Sequence, residues 1–427
     1  MSGIARVLAQ RGERVTGCDR ADSPLLTALR AEGIACAVGH GPDHCDDADR
    51  LVVSGAIPAD APELVRAREH GLPIRHRSEE LAEILAAHDR RVVVAGAHGK
   101  TTTTSMLAFA AMELGLDPTF VVGGEVRDLG TNARGGASGL AIVEGDESDG
   151  SVARLPADLA VVLNVDLDHL DHYASIAEVV GLFSAWSARL PATGLLIVGD
   201  DIPLASPARI ARFGLGTGEG LRALDARAIA GGVAFRPSRG PAEVRLAVPG
   251  IHNAGNACAA ALVLEELGIA LDDGFAVLAR FRGAGRRYEV LGTRDGVTVV
   301  DDYAHHPAEL TAALAAARSQ ATGRLIVLFQ PHMPWRTRQF AAEFAAALLQ
   351  ADQVVLLETY LARGAPDADA SAQRIADRIV AADGPPVELA LDGAAAADRL
   401  RAITRSGDLL ICCGAGPVDA VARAVLA

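Results

Sequence analysis

Several residue types are scarce in this 427-residue sequence. Lysine occurs once, as Lys100, among 40 lysine and arginine residues. Aromatic residues make up 4%, which is too few for platforms that stack nucleic-acid bases. The six cysteines form no CxxC pair and no Cys/His cluster with zinc-finger spacing, so we expect reduced thiols. A net charge of −14 argues against nucleic acid or an anionic membrane as the main partner.

Long apolar runs are also lacking. No uninterrupted run approaches the ~20 residues that span a bilayer, and the sequence shows no amino-terminal signal segment. We therefore expect a soluble, cytoplasmic protein that does not bind membranes. Its length and its hydrophobic content of 50% predict two to three domains.

The chain alternates short apolar runs with amphipathic stretches, which predicts an α/β protein with parallel sheets. We place three domains at residues 1–89, 90–291 and 292–427. In the first, strands are expected near Arg14–Thr16, Ile34–Val38 and Leu51–Val53. This domain opens on a helical stretch, although a doubly wound fold normally begins with a strand and a glycine turn. The sequence therefore predicts a Rossmann-like domain that lacks its first strand, either because the start codon is set too late or because part of a binding pocket is missing.

The only lysine lies in a short motif, Gly96-Ala97-His98-Gly99-Lys100-Thr101-Thr102. An apolar run precedes this motif and a helical pattern follows it, which is the order of a nucleotide phosphate loop. Backbone N–H groups, the helix N-terminus and the ammonium attract phosphate oxygens, and a threonine hydroxyl can hold magnesium. Val94 stands where the general pattern has a glycine, so a glycine-rich turn with a solvated lysine remains the alternative.

Two polar loops follow later predicted strands of the same block. Glu144 begins an acidic run that ends at Asp149, and Thr101 with Glu144 would be natural magnesium ligands. A solvated acidic turn is an equal alternative for this run. The second loop contains Asp168 and His169, and His169 is a candidate ligand for a second cation.

A third polar segment, His252, Asn253 and Asn256, precedes a helix expected over Ala257–Leu267. Asparagine offers both a donor and an acceptor, which suits the edge of an adenine ring. Helix capping by Asn253 is the competing interpretation, and taken alone it is favoured.

Together these motifs resemble the Mur ligases over essentially the whole chain. The resemblance implies that residues 96–102 are the short phosphate loop of the family and that His252, Asn253 and Asn256 contact ATP. It also implies that Phe281–Glu289, which includes Arg286, is the junction into a third domain. Asp19 and Ser54 are similar to first-domain loop residues that bind the substrate.

The third domain carries the segment that indicates a branch of the family. Asp301, His305 and His306 lie in a run similar to that of the alanine-adding branch and its murein tripeptide-ligating relative. His332 and Arg336 resemble the alanine-adding branch in particular. Met333-Pro334-Trp335 stands at a position that is often basic in the family.

The resemblance implies an ATP- and Mg²⁺-dependent ligase that joins L-alanine to the lactyl carboxylate of UDP-N-acetylmuramate through an acyl phosphate. Lys100, Glu144, His169, His305 and Arg336 are the expected catalytic residues, and Arg286 with Arg336 are candidates for anion contacts. Related ligases often use a carbamylated lysine, which this chain excludes because it has no second lysine. A homodimer is compatible with the resemblance.

Two alternatives remain open from the sequence. A murein tripeptide ligase would share the phosphate loop and the paired histidines, but should lack the segment from Phe329 to Arg336. A non-catalytic nucleotide-binding descendant is suggested by the missing first strand.

Overall fold

The chain folds into two compact units in a computed structural model that describes residues 1–168, 172–200, 202–362 and 367–427. Unit 1 comprises Met1–Asp166, Ile176–Arg212 and Leu262–Gly268, and unit 2 comprises Leu167–Ser175, Phe213–Ala261 and Ile269–Ala427. The α/β class predicted from the sequence is confirmed. Within the described ranges, no helix is long and apolar enough to cross a membrane.

The amino-terminal segment alternates strands and helices as predicted. Its elements are α1 Ser2–Gln10, β1 Thr16–Asp19, α2 Pro24–Ala31, β2 Ala35–Val38, a 3₁₀ helix Pro42–Cys45, β3 Leu51–Val53, α3 Pro62–Glu69, β4 Ile74–His76 and α4 Arg77–Ala86. The strand expected at Arg14–Thr16 is wrong by two to three residues, because β1 begins at Thr16.

These four strands form two separate parallel pairs, β1 with β2 and β3 with β4. A doubly wound sheet has the order 3-2-1-4-5, with its first strand in the middle. Removing that strand leaves 3-2 and 4-5, which is the observed pairing. The residues of β1 are accordingly exposed or half-buried, whereas a complete parallel sheet is buried on both faces.

The middle segment contains the strand that leads into the phosphate loop. Its elements are β5 Arg90–Ala95, α5 Lys100–Glu113, β6 Thr119–Val126, β7 Thr131–Arg134, β8 Leu140–Glu144, a 3₁₀ helix Ser151–Arg154, β9 Leu159–Val162, α6 Ile176–Ser187, β10 Leu195–Gly199, β11 Arg209–Leu215, β12 Leu221–Ile229, β13 Gly232–Pro237, β14 Val244–Leu246 and α7 His252–Glu266. The sequence patterns missed β6, β7 and β11.

In unit 1 the strands run in the order β10-β9-β5-β8-β6-β7. All neighbours are parallel except β6 and β7. Residues 92–95 of β5 are fully buried, so this strand lies at the centre of the sheet. The carboxyl ends of β5, β8 and β9 therefore meet at one edge, where open α/β sheets bind ligands.

The carboxyl-terminal segment is a second doubly wound sheet within unit 2. Its elements are α8 Leu271–Leu278, β15 Glu289–Arg294, β16 Val297–Asp302, α9 Pro307–Gln320, β17 Leu325–Phe329, α10 Pro334–Leu348, β18 Gln353–Leu356, a 3₁₀ helix Ala368–Ala370, α11 Gln373–Ala381, β19 Val387–Leu389, α12 Gly393–Ile403, β20 Leu409–Cys413 and α13 Val418–Leu426.

The strand order of this sheet is β15-β16-β20-β17-β18-β19, and only β15 is antiparallel to its neighbour. Alternate residues face opposite sides, as the period of a strand requires. Val327 and Ile411 pack in the cluster with α9, α10 and α11, whereas Leu328 and Cys412 pack in the cluster with α12 and α13. The sheet is thus covered on both faces, and its strand ends are held rigidly.

Candidate active site

The phosphate loop, Gly96–Gly99, connects β5 to α5 and depends on its two glycines. Gly96 has φ +130° and Gly99 has φ +83°, which are left-handed conformations that favour glycine. A Cβ on Gly96 would also lie 3.0 Å from backbone atoms of Asn164. Asn164 fixes the loop, because its Oδ1 accepts from His98 N at 2.8 Å and its Nδ2 donates to the His98 carbonyl at 2.9 Å.

The Lys100 side chain bends back toward its own loop. Its Nζ donates to the carbonyl oxygens of Gly96 at 2.6 Å and Ala97 at 3.1 Å, and to Glu147 Oε1 at 2.9 Å. Burial alone would lower the pKa of Lys100, but Glu147 and Asp146 together raise it above the ordinary value. The loop therefore presents a permanent cation beside the start of a helix, where phosphate oxygens are stabilised.

The acidic loop after β8 contains two buried carboxyl groups of different character. Burial raises the pKa of Glu147 to about 7, with a further contribution from Asp146 and against the effect of Lys100. Although burial opposes it, Lys100 and Arg77 lower the pKa of Asp146 to about 2. Arg77, at the start of α4, also donates to Asp149 at 3.2 Å. Glu147 is therefore the carboxyl group that can lose its charge near neutral pH.

The structure brings Thr101 and Glu144 together. Thr101 Oγ1 donates to Glu144 Oε1 at 3.0 Å, and the backbone N–H of Gly123 donates to Glu144 Oε2 at 2.7 Å. A hydroxyl and a carboxylate oxygen at the first turn of α5 are the hard ligands that magnesium prefers. The donor set of these residues thus fits the predicted ion. His169 lies outside the described residues.

His98 and Thr102 are the remaining predicted residues of the motif in unit 1. His98 Nε2 lies 2.9 Å from Asp166 Oδ2, which belongs to the polar run that follows β9. Thr102 is half-buried in the first turn of α5. The histidine is therefore held by two residues of one loop, since Asn164 also bonds its backbone.

The predicted adenine-binding residues lie in the first turns of α7, in unit 2. This helix begins at His252, five residues before the predicted start, so the alternative that Asn253 caps it is wrong. Asn253 Nδ2 donates to the Pro249 carbonyl at 2.7 Å, and Asn256 Nδ2 donates to Asn253 Oδ1 at 3.0 Å. The two buried amides are thereby fixed in orientation.

The predicted first-domain residues both follow strands. Asp19 ends β1 and is exposed, and its carbonyl accepts from Gly39 N at 2.8 Å. Ser54 follows β3 and is half-buried, and its carbonyl accepts from Ile57 N at 3.1 Å. Each side chain lies at the carboxyl end of a parallel strand, as ligand-binding residues of such sheets do.

Arg286 and Asp301 form a buried polar contact at the sheet of unit 2. The guanidinium donates from Nε to Asp301 Oδ2 at 3.1 Å and from Nη2 to the Gly414 carbonyl at 2.8 Å. Burial raises the pKa of Asp301 to about 7 even though Arg286 opposes the shift. Asp301 Oδ1 has no hydrogen-bond partner within the part of the chain that the structure describes. Asp301 thus keeps a free acceptor atom.

The paired histidines have different environments. His306 precedes α9 and caps it, because its Nδ1 accepts from Ala308 N at 3.4 Å while Glu309 Oε2 faces the His306 N–H. His305 Nδ1 lies 3.0 Å from the Tyr303 carbonyl and 3.2 Å from Glu309 Oε2. Burial lowers the pKa of His305 to about 4, and Arg336 adds to the shift while Glu309 opposes it. His305 is therefore neutral at pH 7.

Arg336 is buried in α10 and forms an ion pair with Asp168. Its Nη2 lies 2.5 Å from Asp168 Oδ1, and its Nη1 lies 3.4 Å from His332 Nδ1. The side chains of Arg336 and Asp168 are 2% and 7% exposed. His332 also stacks on Tyr360, with ring centroids 5.9 Å apart. The predicted anion-binding arginine thus already faces one carboxylate.

The segment Met333-Pro334-Trp335 forms the start of α10. Met333 has φ +68° and is the residue before the helix, and Pro334 occupies the first helical position, where its missing N–H costs nothing. The Arg336 guanidinium lies over the Trp335 ring, 4.8 Å from its centroid. The position that is often basic in the family is thus an apolar helix start.

Sequence reasoning missed four residues of these arrangements: Arg77, Glu147, Asp168 and Glu309. Glu147 and Asp168 lay in polar runs that had been singled out, so their position after buried strands was a usable signal. Glu309 lies three residues after His306, the spacing of a capping box. No sequence signal pointed to Arg77, because α4 lies far from the acidic loop along the chain.

Replacing Gly96 by alanine should impair the phosphate loop severely. The new Cβ would approach backbone atoms at 3.0 Å and the residue would keep φ +130°, so we expect ATP affinity to fall at least about tenfold. Titration with a fluorescent ATP analogue measures this. Gly115→Ala is the matched control, because Gly115 has φ +74° but nothing within 4 Å of its Cβ. Equal affinities of the two variants would contradict the assignment.

The buried neutral His305 should make stability depend on pH. Its pKa in the folded chain is about 4, below the ordinary 6.5, so unfolding binds a proton between these values. The contribution of His305 to the free energy of unfolding is therefore fully present above pH ~6.5 and is lost as pH falls toward 4. Urea unfolding across this pH range should show that the free energy of unfolding falls more steeply with acid for wild type than for His305→Gln. Parallel curves would disprove it.

Comparisons with known proteins identify the family of this chain. Three family models match the chain: "Mur ligase family, catalytic domain" at residues 1–89, "Mur ligase middle domain" at 94–264 and "Mur ligase, glutamate ligase domain" at 286–416.

Individual relatives match over nearly their whole lengths. A UDP-N-acetylmuramate--L-alanine ligase of Kineococcus radiotolerans is 46% identical over 100% of this chain and 93% of the relative. The enzyme of that name from Paenarthrobacter aurescens is 42% identical over 98% and 92%. The crystal structure of a UDP-N-acetylmuramate-alanine ligase from Thermotoga maritima is 26% identical, with a TM-score of 0.86 and coverage of 100% and 95%. The resemblance drawn from the motifs is confirmed, and the chain belongs to the Mur ligase family.

Proposed function

We propose that this chain joins L-alanine to the lactyl carboxylate of UDP-N-acetylmuramate in an ATP-dependent reaction that supplies peptidoglycan precursors. Relatives of that name, at 42% to 46% identity over almost the whole chain, support the proposal. The observation that carries it is the lone lysine: its ammonium lies 2.6 Å from the Gly96 carbonyl, at the start of α5. This loop can hold a triphosphate.

We propose three domains for this task. Residues 1–89 would bind the uridine nucleotide with Asp19 and Ser54. Residues 90–291 would bind ATP through the loop from Gly96 to Thr102 together with His252, Asn253 and Asn256. Residues 292–427 would bind the amino acid. Because the reaction consumes ATP, we place the enzyme in the cytoplasm.

Phosphoryl transfer requires positioning and charge neutralisation more than covalent chemistry by the protein. Lys100 and the N–H groups at the start of α5 would hold the phosphates. An incoming phosphate must compete with Glu147 for the Lys100 ammonium. Burial raises the pKa of Glu147 to about 7, so this carboxyl group can give up its negative charge and then competes less strongly. Protonation of Glu147 would thus help ATP to bind.

Thr101 and Glu144 would hold magnesium beside the phosphates. When bound, the ion supplies positive charge that neutralises the transferring phosphoryl group. His169 remains a candidate for a second cation. The carboxylate of the muramic acid would attack the terminal phosphate to give an acyl phosphate, and the amine of L-alanine would then displace phosphate from the activated carbonyl.

Residues of the third domain would serve the second step. His305 is neutral at pH 7 and is the candidate proton acceptor for the amine. Asp301, His306, His332 and Arg336 are candidate substrate contacts. Arg336 would have to bind the carboxylate of an amino acid while it remains paired with Asp168, since breaking a buried ion pair is costly. Arg286 is the candidate for a nucleotide contact.

Lys100→Ala should reduce phosphate release by about 10²–10³-fold, because removing one group that stabilises transition-state charge typically has this effect. The assay supplies ATP, UDP-N-acetylmuramate and L-alanine to the folded variant, with circular dichroism as the control for folding. Because the chain has one lysine, amine-specific modification reports on a single side chain besides the N-terminus. ATP should protect Lys100 in wild type. Undiminished turnover of Lys100→Ala, or a lysine that ATP leaves reactive, would refute the loop's role.

Turnover with free L-alanine should exceed turnover with the murein tripeptide by at least about tenfold, which we would measure as the ratio of kcat/KM values. The reverse preference would identify the chain as a tripeptide ligase. If the 427-residue chain binds ATP but releases no phosphate with either acceptor, the non-catalytic alternative is correct.

A further inference from the structure

A second group of polar side chains converges in unit 1 on a buried carboxylate, Glu63 of α3. Cys18 Sγ, His40 Nδ1 and His44 Nδ1 each lie 3.2 Å from Glu63 Oε1. Cys18 is on β1, His40 follows β2, and His44 lies in the 3₁₀ helix Pro42–Cys45. Three ligand-bearing side chains from different parts of the segment thus meet around one oxygen atom of a fourth.

This arrangement exceeds what hydrogen bonding can satisfy. Besides the three side chains, the Gly41 N–H donates to the same Oε1 at 3.0 Å. One carboxylate oxygen offers about two acceptor sites, so four groups at this distance are more than it can bond. A cation placed between them would resolve the crowding, because the sulfur and nitrogen atoms would then face the cation instead of the oxygen.

The charge of Glu63 also calls for a cation. Glu63 is 6% exposed, and Cys18 Sγ, His40 Nδ1 and the Gly41 N–H all lie within hydrogen-bonding distance of its carboxylate. Within the described residues, no lysine or arginine forms an ion pair with Glu63; its ion-pair partners are His40 and His44. A buried anion without a permanent cationic partner is costly, and a bound metal ion would remove that cost.

Four of the ligand-atom separations are close to those of a tetrahedral zinc site. Zinc lies about 2.3 Å from sulfur and about 2.0–2.2 Å from nitrogen and oxygen, so ligand atoms in a tetrahedron are roughly 3.3–3.6 Å apart. Glu63 Oε1 is 3.2 Å from its three neighbours, and Cys18 Sγ is 3.6 Å from His40 Nδ1. The ligand atoms of Cys18, His44 and Glu63 all lie within 4.8 Å of one another. His40 and His44 have the H-x₃-H spacing of zinc ligands.

We propose that Cys18, His44 and Glu63 bind Zn²⁺. The ion would tie β1, the loop after β2 and α3 together, which would stabilise a segment whose strands form only isolated pairs. Thiolate and imidazole ligands select zinc over magnesium, so this site is chemically distinct from that of Thr101 and Glu144. The sequence pattern did not reveal it, because Cys18 and Glu63 are far from the two histidines along the chain.

Zinc binding requires loss of the Cys18 proton. Zinc binds the thiolate, so the Cys18 proton passes to solvent as the zinc–sulfur bond forms. Affinity should therefore decrease as pH falls. The thiolate formed in this way can also bind Co²⁺, whose absorption spectrum reports a cobalt–sulfur bond.

Zinc titration tests the proposal. The tag-free 427-residue chain is stripped with a chelator and titrated with Zn²⁺ against a chromogenic chelator, in excess Mg²⁺. We expect one tight site per chain. Cys18→Ser and Glu63→Gln should weaken it at least about tenfold, since even outer-shell changes cost that much. Cys36→Ser and His70→Ala are the matched controls, because these residues are outside the cluster, and they should bind like wild type.

Cobalt supplies a measurement on the wild-type chain that does not depend on folding of the variants. Co²⁺ should give a near-ultraviolet sulfur-to-cobalt charge-transfer band in wild type and Cys36→Ser. The absence of this band, or zinc affinity of folded Cys18→Ser equal to that of wild type, would overturn the site and leave a hydrogen-bonded cluster only. Because neither readout uses ligase activity, failure here is separate from failure of the proposed reaction.

Discussion

The contact between the Lys100 ammonium and its own loop is the interaction on which the proposed chemistry depends. Two carbonyl oxygens and Glu147 hold the cation where a helix begins. The contact exists because Gly96 can adopt φ +130° beside Asn164, so the backbone passes close to the end of β9. A buried central strand delivers this loop, and the charge of Lys100 is preserved by acidic neighbours although burial opposes it.

The buried ionisable groups of unit 2 differ from Lys100 in what sets their charge. Burial raises the pKa of Asp301 to about 7 and lowers the pKa of His305 to about 4, whereas Arg336 and Asp168 form a close buried ion pair. A neutral histidine can accept a proton, and a buried guanidinium can orient a carboxylate only while its own counterion stays in place. Unit 2 thus contains a neutral histidine, His305, after β16 and a buried arginine, Arg336, near the start of α10.

Much of the fold followed from local patterns. The apolar runs Ile34–Val38 and Leu51–Val53 were predicted as strands and form β2 and β3, with bounds that differ by at most one residue. β6 and β11 were missed because partly exposed strands carry weaker patterns. Helix α7 was started too late, because its first turn is rich in polar residues that resemble a loop.

The sequence by itself determined the family, the α/β class and the position of the glycine loop around Lys100, because these depend on contiguous residues whose local conformation their own chemistry sets. Only the tertiary structure decided which distant side chains form ion pairs: Lys100 with Glu147, Arg77 with Asp146, and Arg336 with Asp168. It also decided that Cys18, His44 and Glu63 meet. Such pairings depend on the order of strands in a sheet, and no spacing along the chain encodes that order directly.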